Sequence, residues 1–290
     1  MDSMLGIIVT QGLHGLAYGM LLFLLASGLT LIFGMMGILN LAHAAFFMLS
    51  AYISYQVLAS TGNFWAALII APIAVAILGI GLDHFFLRRI HAQGFVGELL
   101  LTLGVAVIIS EGVQVIWGTE NLPFPVPEQL QGMVLVFGIE YPVYRLFVIG
   151  LAVAVLTMLA LILYRTRLGM IVRAAVSDSE MVDSLGVNVP LVFMTVFGIG
   201  TWLAGVAGVA IAPILSVFLG LGDQVGMDAF IVVVTGGFGS LMGAFVVSLI
   251  FGLMNSFGIQ FISQFAPLLM YIFMALVLAA RPMGLFGERE

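Results

Sequence analysis

The chain has 290 residues, of which 63% are hydrophobic and only 8% charged, with a formal net charge of -6 at pH 7. This composition excludes an ordinary soluble domain, which needs far more charged surface. The sequence contains no cysteine and no lysine, so disulfides, thiolate metal sites and a GxxxxGK[ST] nucleotide-binding loop are also excluded.

Long uncharged stretches predict an all-α fold, a polytopic integral membrane helix bundle. Charged residues are absent from 3–82, 184–222 and 229–280, and about 20 apolar residues suffice for one spanning helix. A β-barrel would alternate polar and apolar residues instead. We expect eight or nine spans in a single transmembrane domain covering 1–290. In chain order, the apolar stretches are 5–33, 38–58, 64–87, 96–117, 145–164, 191–217, 228–238, 240–259 and 265–281.

The first interruption is the glycine-punctuated stretch FGMMGILNLAHAAFFML at residues 33–49. Gly34 and Gly37 predict a helix break, and Asn40 and His43 lie beside it. Paired interruptions in two halves of a carrier point to a transport site, although two ordinary turns would produce the same pattern. Asn40 and His43 are therefore candidates either to line a substrate path or to bind backbone groups that the break exposes.

The middle of the chain combines an acid inside an apolar stretch with a proline-rich loop. Glu111 lies in the 96–117 stretch, where a carboxylate is costly in hydrocarbon and usually faces a cavity or a partner. We expect it to contact substrate, to pair with a neighbouring helix or to act in gating. Residues 118–144 contain four of the nine prolines and predict an external loop with a short hairpin around Met133–Ile139.

Arginine placement orients the predicted helices, because positive residues concentrate on the cytoplasmic side. With the N-terminus outside and the C-terminus cytoplasmic, seven of the eight arginines are cytoplasmic and only Arg145 is outside. This orientation requires an odd number of crossings, and nine satisfies it. Asp83 and Glu98 then lie near cytoplasmic helix ends, where we expect solvation or pairing with Arg88 and Arg89.

Residues 165–190 form a charged segment that this orientation places in the cytoplasm. Ser177 and Glu180 match an S-x-x-E capping box, and Gly186 is a plausible helix stop, so a short helix is predicted at about 178–185. Two turns are marginally stable alone, so the helix must dock on its own bundle, on lipid headgroups or on a cytoplasmic subunit. The candidate residues for coupling to such a subunit are Arg173, Asp178, Glu180, Met181, Val182, Leu185 and Gly186. Of these, Met181, Val182 and Leu185 are expected to be buried only in the complex.

A second interruption, TGGFGSLMG, lies at residues 235–243. Three full helices need about 60 residues, yet only the 52 residues of 229–280 are uncharged before Arg281, so one crossing must be short or broken. Asn255 is a further candidate for the path, and Gln260 a weaker one. The glycines predicted to break the helix here are Gly236, Gly237, Gly239 and Gly243.

Four stretches in order resemble the membrane-spanning permease subunits of the branched-chain amino acid ABC importer family. They are GLAYGMLLFLLASGLTLIFGMMGILNLAHAAFFMLSAY (15–52), RTRLGMIVRAAVSDSEMVDSLGVNV (165–189), VTGGFGSLMGAFVVSLIFGLMNSF (234–257) and RPMGLFG (281–287). Two features depart from the family pattern. Ala44 follows His43 where the family usually has glycine, and the coupling segment is acidic where the family is often basic.

The resemblance implies a permease in a bacterial inner membrane. It implies a second related permease, two cytoplasmic ATPase subunits that bind ATP and Mg²⁺, and a periplasmic substrate-binding protein. It implies no cofactor on this chain and no nucleic-acid partner; membrane lipid surrounds the bundle. Branched-chain or similar small hydrophobic amino acids are the expected cargo, and related permeases carry urea or short amides.

No catalytic or metal-ligating constellation is apparent in the sequence, so an enzyme is disfavoured. A stand-alone carrier driven by H⁺ or Na⁺ is the rival class, and a passive channel is another. Such carriers usually place ionisable or unwound coordinating sites near the middle of the membrane. Transport by this chain alone, without ATP, would favour either rival.

Overall fold

The computed structural model describes residues 2–90, 94–136 and 138–287, with side chains described from Met4 onward. Apart from one hairpin, the described chain is helical. The helices are α1 (Asp2–Met36), α2 (His43–Thr61), α3 (Phe64–Leu82), α4 (Arg88–Ile90), α5 (Phe95–Trp117), α6 (Val143–Arg165), α7 (Arg167–Ser177), α8 (Ser179–Ser184), α9 (Val189–Leu215), α10 (Leu221–Gly236), α11 (Leu241–Ile262) and α12 (Ala266–Ala280). A π-helical turn, Asp83–Leu87, joins α3 to α4, and a 3-10 turn, Glu128–Leu130, precedes strands β1 (Met133–Val136) and β2 (Ile139–Pro142).

Seven helices in the described part of the chain are long and apolar enough to cross a membrane: α1, α2, α3 continued through α4, α5, α6, α9 and α11. The eight or nine spans expected from the sequence include two further stretches, which form α10 and α12. These helices have only 16 and 15 residues. Of the described residues within 229–280, α11 is long enough to cross and α12 is a shorter apolar helix, so the number of crossings in this stretch stays a prediction.

Antiparallel packing against α9 defines the two ends of the bundle. Gly79 and Pro72 of α3 lie against Thr201 and Gly205 of α9, so the end of α3 meets the start of α9. At the start of α6, the Tyr144 hydroxyl donates to the Ala210 carbonyl near the end of α9, at 2.8 Å. We call one end the arginine-rich end, which holds Arg88, Arg165, Arg167, Arg173 and Arg281. The opposite end, the loop end, holds residues 118–142 and Arg145.

The centre of the bundle is α9, whose glycines bring it to backbone contact with α1, α2 and α3. A Cβ built on Gly205 would lie 2.7 Å from Pro72 Cα, and one on Gly208 would collide with the Phe47 carbonyl oxygen. A Cβ on Gly28 of α1 would lie 2.5 Å from the Gly200 carbonyl oxygen. Small residues permit such approach between membrane helices, so the glycines of α9 set the spacing of the core.

A second close contact joins α1 to α11. Gly15 and Gly19 have GxxxG spacing, which places both on one face of α1. A Cβ on Gly15 would lie 2.8 Å from Leu253 Cα, and one on Gly19 would lie 2.7 Å from the Ser248 carbonyl oxygen. The opposing Gly252 likewise has no space for a side chain, because its Cβ would collide with the Gly15 carbonyl oxygen.

The hairpin predicted in the 118–144 loop is confirmed. Strands β1 and β2 pair antiparallel, with Met133 opposite Pro142 and Val136 opposite Ile139. An isolated bridge between Leu122 and Val217 ties the start of this loop to the segment after α9. The loop therefore forms a cap over the end of α9.

We predict that Gly208→Ala destabilises the bundle, because the added methyl group collides with the backbone of α2. Overpacking in a rigid core costs about 1–3 kcal/mol. The measurement is thermal unfolding of the detergent-purified protein. Gly150→Ala on α6 is the matched control, since its Cβ meets no atom within 4 Å; equal unfolding temperatures for the two variants would contradict the proposed close packing.

Candidate functional site

The two glycine-rich interruptions predicted from the sequence meet at the arginine-rich end. Each coincides with a connection between helices, the first between α1 and α2 and the second between α10 and α11. A Cβ built on Gly34 would lie 2.7 Å from Gly239 Cα, so the two backbones touch. The rings of Phe33 and Phe238 lie beside this contact with centroids 4.4 Å apart. Gly37 is in the first connection, where a Cβ would meet no atom within 4 Å.

The second interruption is covered by the C-terminal segment that follows α12. The backbone N–H of Leu285 donates to the Thr235 carbonyl at 2.9 Å, and that of Phe286 to the Gly236 carbonyl at 3.0 Å. Carbonyls at the end of α10 are therefore satisfied by protein, as a helix end away from water requires. Gly236 also packs against Gly243, where a Cβ on the first would lie 2.6 Å from the carbonyl carbon of the second.

Asn40 and His43 are buried beside the first interruption, with 2% and 3% of their surface exposed. His43 Nε2 donates to the Leu25 carbonyl of α1 at 3.0 Å, and Asn40 Oδ1 accepts from the Ala42 N–H at 3.1 Å. His43 Nδ1 and Asn40 Nδ2 have no hydrogen-bond partner among the described residues. Of the two roles expected from the sequence, these contacts favour binding of backbone groups.

Ala44 occupies the position at which the chain departs from the resembled motif, and α10 accommodates its methyl group. A Cβ on Gly226 would collide with the Ala44 Cβ, and one on Gly222 would lie 2.9 Å from the Ala44 carbonyl oxygen. A glycine at position 44 would leave room for α10 to approach α2. With alanine there, the close approach is possible because Gly222 and Gly226 of α10 have no side chains.

The other two predicted path residues lie elsewhere. Glu111 is exposed on the outer face of α5, between exposed Ile108 and Val115, and Asn255 is partly buried on α11. No hydrogen bond within the described ranges joins any two of Asn40, His43, Glu111 and Asn255.

The two acids near the arginine-rich end, Asp83 and Glu98, are both buried. Asp83 Oδ2 lies 3.5 Å from Arg88 Nε, which confirms the expected pairing. With 4% of its surface exposed, Glu98 does not have the solvated side chain that was one of its two expected roles, and its pairing with arginine stays a prediction. Arg88 also donates to the Pro190 carbonyl at 2.7 Å, which links α4 to the start of α9.

The charged segment of residues 165–190 contains two helices, α7 and α8. The sequence predicts Ser177 as the cap of the second helix, and this is wrong: the Asp178 carboxylate caps it by accepting from the Met181 N–H at 2.8 Å. Asp178 is preferred because its extended backbone separates the two helices, whereas Ser177 is the last residue of α7. Gly186, with a φ of +84°, follows the end of the second helix and stops it, as predicted.

The apolar side chains of α8 and of Leu185, the residue that caps its C-terminus, divide between two surfaces. Val182 is buried in a small cluster with Ala175 of α7 and Val189 of α9, so the expectation that it is buried only in a complex is wrong. Met181 and Leu185 are 59% and 76% exposed. At helical spacing, Val182 points back to the bundle while Met181 and Leu185 point away.

Charged residues surround this exposed apolar pair. Asp178 and Glu180 are exposed at the start of α8. Arg173 is exposed on α7, with its guanidinium carbon 5.4 Å from the centroid of the Tyr164 ring, which is a cation–π geometry. The α7–α8 segment therefore exposes two apolar side chains, Met181 and Leu185, with charged side chains around them.

A polar pair that sequence reasoning missed joins α1 to α10. The Tyr18 hydroxyl donates to Asp228 Oδ2 at 2.7 Å, and both residues are partly buried. The apolar stretch predicted at 228–238 begins at Asp228. In the structure α10 begins at Leu221, so Asp228 lies in its third turn, well inside the helix.

A second polar cluster lies one turn earlier on α1. Arg145 donates to His14 Nδ1 at 2.6 Å, and the Tyr141 hydroxyl lies 3.2 Å from the same nitrogen. Burial raises the pKa of the Tyr141 phenol, an effect that Arg145 partly opposes. The hydroxyl therefore keeps its proton at neutral pH and remains a donor.

A neutral cluster completes this face of α1 at the loop end. Ser256 of α11 donates to the Gln11 backbone carbonyl at 2.8 Å and to its Oε1 at 2.6 Å. Gln11 Nε2 donates to Gln260 Oε1 at 2.9 Å. Gln260, the weaker path candidate, thus contacts this polar face.

Comparison with known proteins places these features in a family context. A family model described as branched-chain amino acid transport system, permease component, matches residues 12–280. The chain is 29% identical to the high-affinity branched-chain amino acid transport system permease protein BraD of Pseudomonas aeruginosa, over 97% of this chain and 96% of that protein. With the same coverage, it is 27% identical to the LivH permease protein of that system in Salmonella typhimurium and 26% identical to LivH of Escherichia coli K12. No solved structure matches the chain.

We predict that Gly237→Ala disrupts the cover of the second interruption. Gly237 has a φ of +103°, and an added Cβ would lie 2.5 Å from the Gly287 backbone nitrogen, so the substitution is opposed by both strain and collision. The expected result is a lower yield of folded protein and a lower unfolding temperature.

The matched control is Gly62→Ala, which also has positive φ, at +65°, but meets no atom within 4 Å. It carries the conformational cost of about 1–2 kcal/mol without the collision. If the two variants unfold at the same temperature, close packing of the C-terminal segment contributes nothing.

Proposed function

Because the chain belongs to the family of permease components of branched-chain amino acid transport systems, we propose that it forms the translocation path for branched-chain or similar small hydrophobic amino acids. The family is a non-catalytic transmembrane component of ABC transporters, and the chain is a multi-pass membrane protein homologous to bacterial inner-membrane permeases. The observation that carries the proposal is the match over residues 12–280, which includes both glycine-rich interruptions and the α7–α8 segment.

Membership of this family implies assembly with other ABC transporter subunits. We propose a second related permease, two cytoplasmic ATPase subunits that bind ATP and Mg²⁺, and a periplasmic protein that delivers the amino acid. In this arrangement the arginine-rich end is cytoplasmic, in keeping with the distribution of arginine, and the loop end faces the periplasm.

The α7–α8 segment is the proposed docking site for an ATPase subunit. Met181 and Leu185 supply an apolar contact, and Arg173, Asp178 and Glu180 lie at its margin. Val182 supports the proposal because its burial against α7 and α9 fixes α8 to the bundle. A helix of six residues is unstable alone, and this anchor lets it present Met181 and Leu185 in a defined direction.

We propose that movement of α8 reaches the path through α9. Val182 contacts Val189 in the first turn of α9, and the glycines of α9 hold α1, α2 and α3 at backbone contact. Closure of the ATPases would displace α8, and closely packed helices transmit such a displacement as a shift of whole elements rather than by local deformation. The glycine interruptions at the same end are the places where α1 and α10 can change direction.

The direct test is uptake of radiolabelled leucine by proteoliposomes that contain the purified complex. We expect uptake only when ATP is supplied on the ATPase side and the loaded binding protein on the other. Uptake by this chain alone without ATP would overturn the proposal in favour of a carrier or a channel. Uptake of urea or a short amide in place of leucine would retain the fold but overturn the substrate class.

We predict that Leu185→Asp weakens binding of the ATPase subunit about tenfold or more. Burial of a leucine side chain stabilises a contact by about 1.5–3 kcal/mol before ordering costs, and about 1.4 kcal/mol corresponds to a factor of ten. The measurements are co-purification of the ATPase and substrate-stimulated ATP hydrolysis. The bundle is expected to stay folded, because Leu185 is 76% exposed.

Ser184→Asp is the matched control for this prediction. It adds the same charge one residue away, at another exposed position of α8, and removes no apolar side chain. The ATPase should remain bound to it. Full ATPase binding and full coupling in Leu185→Asp would show that α8 is only a capped connection.

A further inference from the structure

We propose that one face of α1, carrying His14 and Tyr18, brings Arg145 and Asp228 together as a binding site for the carboxylate and ammonium groups of a zwitterionic amino acid. This inference rests on the proposed transport function and assigns the residues that recognise the substrate. It concerns the loop-end half of the bundle and is separate from the interruptions and the α7–α8 segment.

The anionic half of the site is Asp228. Tyr18 donates to Oδ2 at 2.7 Å, which orients the carboxylate and leaves Oδ1 as an acceptor. No arginine or histidine nitrogen in the described ranges lies within 4 Å of this carboxylate. A carboxylate inside an apolar helix bundle is costly unless a cation or water meets it, so Asp228 is suited to an incoming ammonium group.

The cationic half is Arg145. Its guanidinium donates to His14 Nδ1 at 2.6 Å and contacts the Tyr141 hydroxyl. Arginine can only donate, so His14 accepts at Nδ1. The ring that accepts there is neutral and adds no second positive charge beside Arg145. Among the described residues, no carboxylate lies within 4 Å of Arg145. The remaining guanidinium donors match a carboxylate geometrically.

The spacing of the two halves follows from α1. His14 and Tyr18 are four residues apart, so they lie on one face and are separated by about 6 Å along the helix axis. Their neighbours Gly15 and Gly19 point toward α11 and make the tight contact there. The His14–Tyr18 face is consequently not used for close packing, and all four side chains of the site are partly exposed.

A purely structural role explains this arrangement less well. Charges that serve only to join helices are stabilised when they pair with each other, yet Arg145 and Asp228 each contact a neutral aromatic side chain on α1. An amino acid bridging them would neutralise both. Urea and short amides lack both charges, so the site predicts selection of zwitterions and discrimination against neutral solutes.

The test uses the reconstituted complex with saturating leucine-loaded binding protein and measures leucine taken up per ATP hydrolysed. We expect Asp228→Asn and Arg145→Gln each to lower this ratio about tenfold, because a charge-assisted hydrogen bond to the substrate is lost. ATPase co-purification and stimulated hydrolysis should persist. The matched controls are Asp223→Asn on the exposed side of α10 and Arg89→Gln on α4, which make the same charge changes and should leave the ratio unchanged.

Two further variants keep the test decisive if Asp228→Asn does not assemble. Asp228→Glu retains the charge and should assemble with a ratio closer to wild type, while Tyr18→Phe retains both charges and should lower the ratio by losing the orienting hydroxyl. A normal ratio in assembled Tyr18→Phe and Arg145→Gln would overturn the inference while leaving the transport function intact. Absence of ATP-dependent leucine uptake by the wild type would instead overturn the function itself.

Discussion

Backbone contact between α9 and its neighbours is the constraint on which the rest of the structure depends. Apolar side chains do not by themselves distinguish a helix neighbour from lipid, so membrane helices associate through close packing and interhelical polar contacts. Gly205 and Gly208 bring α9 against α3 and α2, and the Gly28–Gly200 contact brings it against α1. A methyl group added at any of these glycines would push two helices apart. Because the same helices position polar side chains, the distances between those side chains would change as well.

The features proposed for coupling all depend on this core at its arginine-rich end. Val182 anchors α8 to the first turn of α9, and Gly34 meets Gly239 where the two interruptions touch. The same end carries the C-terminal cover over α10. A displacement applied at α8 therefore acts on α9, which packs against α1, α2 and α3, close to the connections where helix direction changes.

The loop-end half of the bundle is organised differently, by polar contacts along one face of α1. Gln11, His14 and Tyr18 recur at helical spacing and bind side chains from α11, β2, α6 and α10. The opposite charges, Arg145 and Asp228, do not pair with each other in the described structure, and each contacts a neutral residue of α1. Close packing through Gly15 and Gly19 on the adjacent face holds α1 in place and leaves the polar face partly open.

The sequence by itself determined the class of protein, the approximate helices, the hairpin, both glycine-rich interruptions and the family, because hydropathy, glycine spacing and motif order are local properties of a chain. It did not determine that Val182 faces inward, that Asp178 caps α8 in place of Ser177, or which backbone groups Asn40 and His43 contact. It also missed Asp228, whose partner Tyr18 is 210 residues away. Only the tertiary structure decided these points, since the role of a polar side chain in an apolar bundle depends on which distant helix the glycine contacts bring within hydrogen-bond reach.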